Sequence, residues 1–532
     1  MSATDILPAA AADLIRAGRT TLGIELGSTR IKACLIDADN PSSVLALGGH
    51  DWENSFVDRL WTYPLDQVWA GLQASYAALV ADVRARYDVP LQTIGAIGIS
   101  AMMHGYLAFD ARGEALVPFR TWRNTNTEVA AAELSELFGQ SIPLRWSIAH
   151  YRQAMVDAEP HTSEVARLTT LAGLVHTALT GRHVLGVGDA SGMFPIAEGD
   201  YDAELLARFD ALTPGAPALR SLLPDVLHAG EDAGALTSEG AALLDPTGAL
   251  APGIPFCPPE GDAGTGMVAT GAVAPRTGNV SAGTSIFAMV VLEGPLAHDH
   301  RELNLVTTPA GDPVAMVHCN NGASELAGWV GLFRRFAEAS GSALDADGVF
   351  DLLFREALAG DADAGGLLVY NHLAGEPLAG LTEGRPLFVR TPDSTFSLAN
   401  VMRAQLYGVF GTLALGMRVL DAEGVRLDRL LAHGGLFRTA GVAQRLLAGA
   451  LNAPVAVSET AAEGGAWGIA VLAAYRRDPR GLSLSDYLEQ CVFGGAQIQV
   501  VDPDPADVAG FAAYLNRYRA GLAVEAAAVE HL

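Results

Sequence analysis

The feature that most constrains this chain is a pattern that occurs twice. Leu22 to Asp37 reads L-G-I-E-L-G-S-T-R-I-K-A-C-L-I-D, two apolar runs on either side of a Gly-Ser-Thr turn. Asn279 to Leu292 reads N-V-S-A-G-T-S-I-F-A-M-V-V-L, again two apolar runs about a Gly-Thr-Ser turn. Short β-rich runs that flank a Gly turn are hairpin signals. One such hairpin in each half of the chain predicts two related domains facing one ligand across a cleft. The competing reading is two unrelated hairpins in a large α/β protein.

The turns carry the chemistry. Gly27 lets the backbone come close to a ligand, Ser28 and Thr29 offer hydroxyl and N–H groups, and Arg30 and Lys32 add positive charge, which together suit a phosphate. Lys32 is the only lysine in the chain. Glu25, near the end of the first strand, is placed to hold a metal ion through water. A Gly-Ser-Thr turn with no ligand remains the plain alternative.

With 532 residues the chain exceeds a single core and suits two domains. Half the residues are apolar, so a folded protein is expected. The net charge of 34 − 60 = −26 argues against nucleic acid or an anionic membrane as partner, since both need basic patches. Cys34, Cys257, Cys319 and Cys491 are scattered without metal or redox spacing, which reads as a reducing compartment. Residues 1–19 lack the form of a signal peptide, and no apolar run reaches membrane-spanning length. A soluble, cytoplasmic protein is expected.

Along the chain, Val68 to Tyr87 has helical spacing and ends in Arg84 and Arg86. Ile94 to Ser100 is a buried-strand run that delivers Met102-Met103-His104-Gly105 at its tip. His104 is either a structural hydrogen-bonding residue or part of a site. Trp122, with Arg123, Asn124 and Asn126 beside it, offers an apolar face and amides, as a polyol site does; a partly buried Trp before a capped helix is the equal alternative. Asp262, in Glu260-Gly261-Asp262-Ala263-Gly264-Thr265-Gly266, heads a small-residue helix as a cap or as a catalytic base. Ala399 to Leu420 is a long helix whose Gly408, Gly411 and Gly416 predict close packing. Leu430 to Leu436 is a strand that runs into Gly434-Gly435; with Glu463-Gly464-Gly465-Ala466-Trp467-Gly468 opening a later helix, it suggests a nucleotide-sized pocket. Residues 476–532 read as a helical extension.

Taken in order, these motifs resemble the FGGY carbohydrate kinases of the actin, Hsp70 and sugar-kinase superfamily, from about Leu22 to Tyr475. G-I-E-L-G-S-T-R-I-K resembles the first phosphate motif, I-G-I-S-A-M-M-H-G the xylulokinase form of the sugar strand, and G-D-A-G-T-G the segment with the catalytic Asp. S-A-G-T-S resembles the second phosphate motif, and A-H-G-G-L-F with E-G-G-A-W-G-I-A the adenosine motif. The resemblance implies an α/β protein of two RNase H-like (actin-like ATPase) domains, 20–273 and 274–532. Each would be a mixed sheet flanked by helices, with the catalytic cleft between them.

The resemblance also implies ATP and Mg²⁺, with Asp262 as general base and Met103, His104, Trp122 and Asn124 at the sugar. Gly27, Ser28, Thr29 and Lys32 would face the phosphates from one side and Gly283, Thr284 and Ser285 from the other. Gly434 and Gly435 would meet the adenosine, and Glu25 would reach the metal through water. The expected substrate is a ketose, first a pentulose such as xylulose, with ribulose, rhamnulose, fuculose, gluconate or glycerol behind it. An actin- or Hsp70-type ATPase is the alternative from another class. The expected partners are the sugar and ATP, with a homodimer left open.

Three positions depart from the family pattern. Glu25 stands where Asp is usual, Trp122-Arg123-Asn124 ends in an amide where Asp is usual, and His433 replaces one glycine of a triplet. The second departure puts xylulose in doubt, because Asn suits a different hydroxyl pattern.

Overall fold

Both expected hairpins form. In the computed structural model, which describes residues 7–457, 464–495 and 499–532, β1 (Thr20–Leu26) and β2 (Arg30–Asp37) run antiparallel, with Glu25 opposite Lys32. β3 (Val44–Asp51) extends this meander, and α1 (Leu65–Tyr87) follows. β4 (Ala96–Ala101) returns parallel to β1, and β5 (Glu260–Gly261) adds parallel to β4, leading at once into α2 (Asp262–Thr270). The sheet order is β5-β4-β1-β2-β3. β4 is buried at every position and β1 at nearly every one, so these strands read as unbroken apolar runs rather than as alternations.

The chain divides into two compact units. The first comprises Met1–Ala274, Leu305–Val314 and Thr460–Ala496; the second comprises Pro275–Asn304, Ala315–Glu459 and Gln497–Leu532. This is finer than a single cut into 20–273 and 274–532, because the chain returns twice to the first unit.

The second unit repeats the pattern of the first. β6 (Thr277–Ala282) and β7 (Ile286–Val291) form the antiparallel hairpin about Gly283-Thr284-Ser285. β8 (Pro313–Cys319) lies beyond β7. After α3 (Leu398–Ala422), β9 (Arg429–His433) pairs parallel to β6, just as β4 pairs with β1. α4 (Val442–Leu451) then leads to β10 (Val455–Val457), parallel to β9. The glycines of α3 do allow close contact: a Cβ on Gly408, Gly411 or Gly416 would lie 2.8, 2.9 or 2.4 Å from Val369, Tyr518 or Val317.

α5 (Gly464–Arg476) belongs to the first unit. A Cβ on Gly23 of β1 would come within 2.0 Å of the Ala466 carbonyl, and one on Gly468 within 2.2 Å of the Thr265 carbonyl. Gly23 and Gly468 therefore let α5 pack closely on the sheet and on α2 within this unit. Glu463, read with the Gly464-Gly465 motif, lies outside the described residues.

The segment after 476 is also more than an extension. β11 (Gln499–Val501) adds antiparallel to β10, and α6 (Pro505–His531) buries Tyr514 and Tyr518 in the second unit. Asp507 of α6 accepts from Arg403 of α3 at 2.7 Å, both side chains 3% exposed. No helix among the described residues is long and apolar enough to cross a membrane.

Candidate active site

Strand register lines up the polar groups of the first unit. Lys32 stands opposite Glu25, Glu25 opposite Ser100, and Ser100 opposite Glu260, so one row across β2, β1, β4 and β5 carries all four. Directly paired residues point to the same face of a sheet, which makes this row a polar stripe in an apolar sheet. Ser100 Oγ lies 3.0 Å from Thr265 Oγ1 on α2. Glu25 lies against the start of α5, where a Cβ on Gly465 would fall 2.4 Å from its Oε1. A Cβ on Gly464 would be 4.0 Å from Lys32 Nζ. A carboxylate is favourable at a helix N-terminus, and the glycines leave the room for it.

The Gly27-Ser28-Thr29 turn is held from behind. Trp52 donates its indole N–H to the Gly27 carbonyl at 2.7 Å and its backbone N–H to the Thr29 carbonyl at 3.1 Å. The Tyr63 hydroxyl donates to the Ser28 carbonyl at 2.6 Å, and the Trp52 and Tyr63 rings stack at 4.3 Å. All three carbonyls are thus tied down, which suits a turn whose other face offers N–H and hydroxyl groups to an anion. Trp122, 38% exposed, donates its indole N–H to Ser28 Oγ at 3.3 Å, so the expected sugar-side Trp and the first turn meet.

Asp262 is the first residue of α2, and its Oδ1 accepts from the Met103 backbone N–H at 3.1 Å. Met103 and His104 are buried beside it. His104 adopts φ +70, a left-handed conformation that costs a non-glycine residue about 1 kcal/mol or more and is concentrated at functional sites. Its ring is fixed by the Gly192 carbonyl, 3.2 Å from Nδ1, and by stacking on Trp146. Burial raises the Asp262 pKa; the N–H groups of Met103 and Ala263, and then the Arg145 charge, oppose the rise. Burial in turn draws the Arg145 guanidinium down to about 10.

Two further carboxyls of this site escaped the sequence reading. Glu260 accepts from the backbone N–H groups of Gly188, at 3.3 Å, and Asp189, at 2.9 Å. Asp189 accepts from the Thr170 hydroxyl at 2.5 Å, while its Oδ1 is buried without a hydrogen-bond partner. A Cβ on Gly261 would lie 3.2 Å from that oxygen, next to Asp262. Burial holds both Asp189 and Glu260 above the ordinary carboxylate range; the Asp262 charge adds to the rise at Asp189, against the Thr170 hydrogen bond, and the Asp189 charge adds to the rise at Glu260. The sequence signal was the acidic spacing Glu260-x-Asp262 and the Asp189-Ala190-Ser191-Gly192 turn, which read as loop composition.

Asn124 is turned elsewhere, contrary to expectation. Its Oδ1 accepts from the Trp61 N–H at 2.9 Å, and its Nδ2 donates to the Trp61 carbonyl at 2.8 Å and the Thr121 carbonyl at 3.1 Å. Buried and bonded at both ends of its amide, it fixes the Trp61 backbone with both of its N–H donors spent on the Trp61 and Thr121 carbonyls.

In the second unit, the Gly283-Thr284-Ser285 turn is capped by the segment before the helix Ser324–Ala339. Gly322 and Ala323 donate their N–H groups to the carbonyls of Thr284 and Gly283, at 2.7 and 2.8 Å. Gly434, just past β9, has φ +111, and a Cβ there would fall 2.2 Å from the Ala282 carbonyl. The glycine pair and the second turn are therefore neighbours within this unit.

Each unit so presents a turn whose backbone can face an anion, and the first adds a carboxylate at a helix head beside a strained His. Comparison with known proteins fits this arrangement. The N-terminal domain model of the FGGY family of carbohydrate kinases matches residues 20–269 and its C-terminal domain model matches residues 278–477. A search of curated protein sequences finds no match.

Solved structures share the fold. A xylulose kinase from Rhodospirillum rubrum superimposes with a TM-score of 0.75 at 20% identity, over 95% of this chain and 99% of its own. A gluconate kinase from Lactobacillus acidophilus gives 0.76 at 18%, over 95% and 99%. A Plasmodium falciparum glycerol kinase with ADP gives 0.73 at 14%, over 94% and 97%.

Proposed function

Since the chain belongs to the FGGY family of carbohydrate kinases, an actin-like ATPase fold that uses ATP, we propose that it phosphorylates a ketose, first a pentulose such as xylulose. The observation that carries this is Asp262 at the head of α2, bonded to the backbone of Met103 beside the strained His104. Met103, His104 and Trp122 line the sugar side in this reading. Gly27, Ser28, Thr29 and Lys32 take phosphate oxygens from the first unit and Gly283, Thr284 and Ser285 from the second. Gly434 and Gly435 lie at the adenosine.

Asp262 accepts the proton of one sugar hydroxyl as its oxygen attacks the γ-phosphorus. The new P–O bond forms as the bond to the β–γ bridging oxygen breaks, and ADP leaves with that oxygen. Such a transition state asks little covalent work of the protein, so positioning and charge neutralisation carry most of the effect. The lone lysine, on the strand behind the turn, supplies fixed positive charge. Glu25 fits a role toward Mg²⁺: it is a hard oxygen donor lodged where Gly465 leaves space, beside the phosphate turn, and carboxylate-plus-water is the usual protein share of such a site. When bound, Mg²⁺ neutralises the phosphate oxygens.

The choice of a ketopentose draws on the Met-His-Gly tip of β4 and on the xylulose kinases among the solved structures of this fold. A cytoplasmic location goes with the reading, since ATP and Mg²⁺ are at hand there. ADP release by the purified protein with Mg²⁺-ATP, across a panel of ketoses, aldoses and polyols, tests it. A sharp rate increase with one pentulose is expected. A larger increase with gluconate or glycerol would replace the substrate, and a rate indifferent to every sugar would favour an ATPase of the actin or Hsp70 kind.

A further inference from the structure

The second unit holds a side-chain cluster that phosphoryl transfer does not use. His298 and His300 stand one residue apart in the loop after β7, and Glu423 follows the last residue of α3. Glu423 Oε1 lies 2.8 Å from His298 Nδ1 and 2.7 Å from His300 Nε2, and Oε2 accepts the Ala297 N–H at 2.7 Å. The Glu423 side chain is 5% exposed, that of His300 22% and that of His298 78%, so the cluster opens to solvent on one side.

We propose that His298, His300 and Glu423 form a binding site for an imidazole-preferring divalent cation of the Zn²⁺ class. Two imidazoles and one carboxylate are a common donor set for such ions, with water completing the shell. The fit is geometric. Tetrahedral ligand atoms at Zn distances of about 2.0–2.1 Å stand about 3.3 Å apart. The two edges at Glu423 Oε1 need to open by only about half an ångström to reach that, and all three ligand atoms already lie within 4.8 Å of one another.

The surroundings pre-set the site. Ala297 N–H holds the second carboxylate oxygen and so aims Oε1 at the histidines, the kind of outer contact that orients metal ligands. Glu423 also sits at the C-terminal end of a 25-residue helix, where the helix dipole disfavours negative charge. A bound cation offsets that charge. On binding, the ring nitrogen that donates to Glu423 becomes the ligand and the proton of each imidazole sits on the other ring nitrogen. The consequence is mechanical: the loop after β7 becomes pinned to the end of α3.

The test uses the full-length protein, stripped with EDTA and without nucleotide, titrated calorimetrically with ZnCl₂ alone and, separately, with CoCl₂ under visible absorption. One equivalent should bind, with Co²⁺ d–d bands that report nitrogen ligation. His298→Ala and His300→Ala should each weaken binding by about tenfold or more and abolish the bands. His298 is mostly exposed, so its variant folds, and a far-UV spectrum checks this. Zn²⁺ affinity within twofold of the parent in both variants, or no saturable binding by the parent, overturns the proposal. Sugar-dependent ADP release with Mg²⁺ should be the same in His298→Ala as in the parent, which separates this site from the kinase reading.

Discussion

The Met103 backbone N–H donates to Asp262 Oδ1 at 3.1 Å, which ties the tip of β4 to the head of α2. This bond fixes where the carboxylate points without neutralising it, and it opposes the rise in pKa that burial brings. If Asp262 is the general base, Asp262→Asn keeps an acceptor for Met103 but cannot take the sugar proton. Turnover should fall about 10²–10⁴-fold while ATP binding, measured by calorimetry, is unchanged. Turnover within about tenfold of the parent would falsify the role.

The same assignment fixes a pH dependence. A base must be ionised to act, and burial holds the Asp262 pKa above the usual carboxylate value. The rate should therefore fall on the acid side at a pH above that expected for an exposed Asp, with the limb lost in Asp262→Asn. A parent profile flat down to pH 4 would count against Asp262 as the base.

Glu25 tests the metal assignment by itself. Glu25→Gln keeps the shape against Gly465 and the pairing in β1 but removes the charge. The Mg²⁺ concentration for half-maximal rate should rise about tenfold, in line with the cost of disturbing an outer ligand, while the sugar KM holds. An unchanged Mg²⁺ requirement would assign Glu25 to pairing with its strand neighbours alone.

What could be read in the sequence was whatever local chemistry determines. Gly27-Ser28-Thr29 and Gly283-Thr284-Ser285 are turns between apolar runs, and turn residues carry their own conformational requirement. The helix expected over Val68 to Tyr87 forms as Leu65–Tyr87 because its apolar spacing and its end in Arg84 and Arg86 are local signals. The contacts of Asn124 with the Trp61 backbone were not legible, because Trp61 is far away in sequence. Asp189 and Glu260 were missed because only folding buries them together. The C-terminal segment misled for a similar reason. Its helical pattern is plain, but the burial of Asp507 against Arg403 is a tertiary fact.

That ion pair makes the C-terminal helix a part of the core. Breaking a buried pair by removing one partner costs about 3–5 kcal/mol, because the other charge stays buried alone. Asp507 also accepts from Arg445 at 2.6 Å, so Asp507→Ala should lower the melting temperature by several degrees, and Arg403→Met with Asp507→Leu should recover the part of the loss that comes from the buried Arg403 charge. Equal melting temperatures for the parent and Asp507→Ala would show that water reaches Arg403.

Asp189 gives a prediction whose sign is fixed by its burial. Its pKa is pushed up from the ordinary 3.8 to about 7, first by burial and further by Asp262, against the pull of Thr170. The folded chain then holds a proton that the unfolded chain releases between pH 4 and 7, so stability falls as pH rises through that window and the loss is complete above it. Asp189→Asn removes this term, because an amide does not titrate in this range. The variant's melting temperature relative to the parent should therefore increase from pH 4.5 to pH 8, by about 2–4 °C for each kcal/mol involved. Glu260, raised in the same way, keeps some pH dependence in both proteins, so the difference between them is the quantity to measure. A difference that stays constant over this range would mean that Asp189 is ionised in the folded protein and is solvated by groups other than those named.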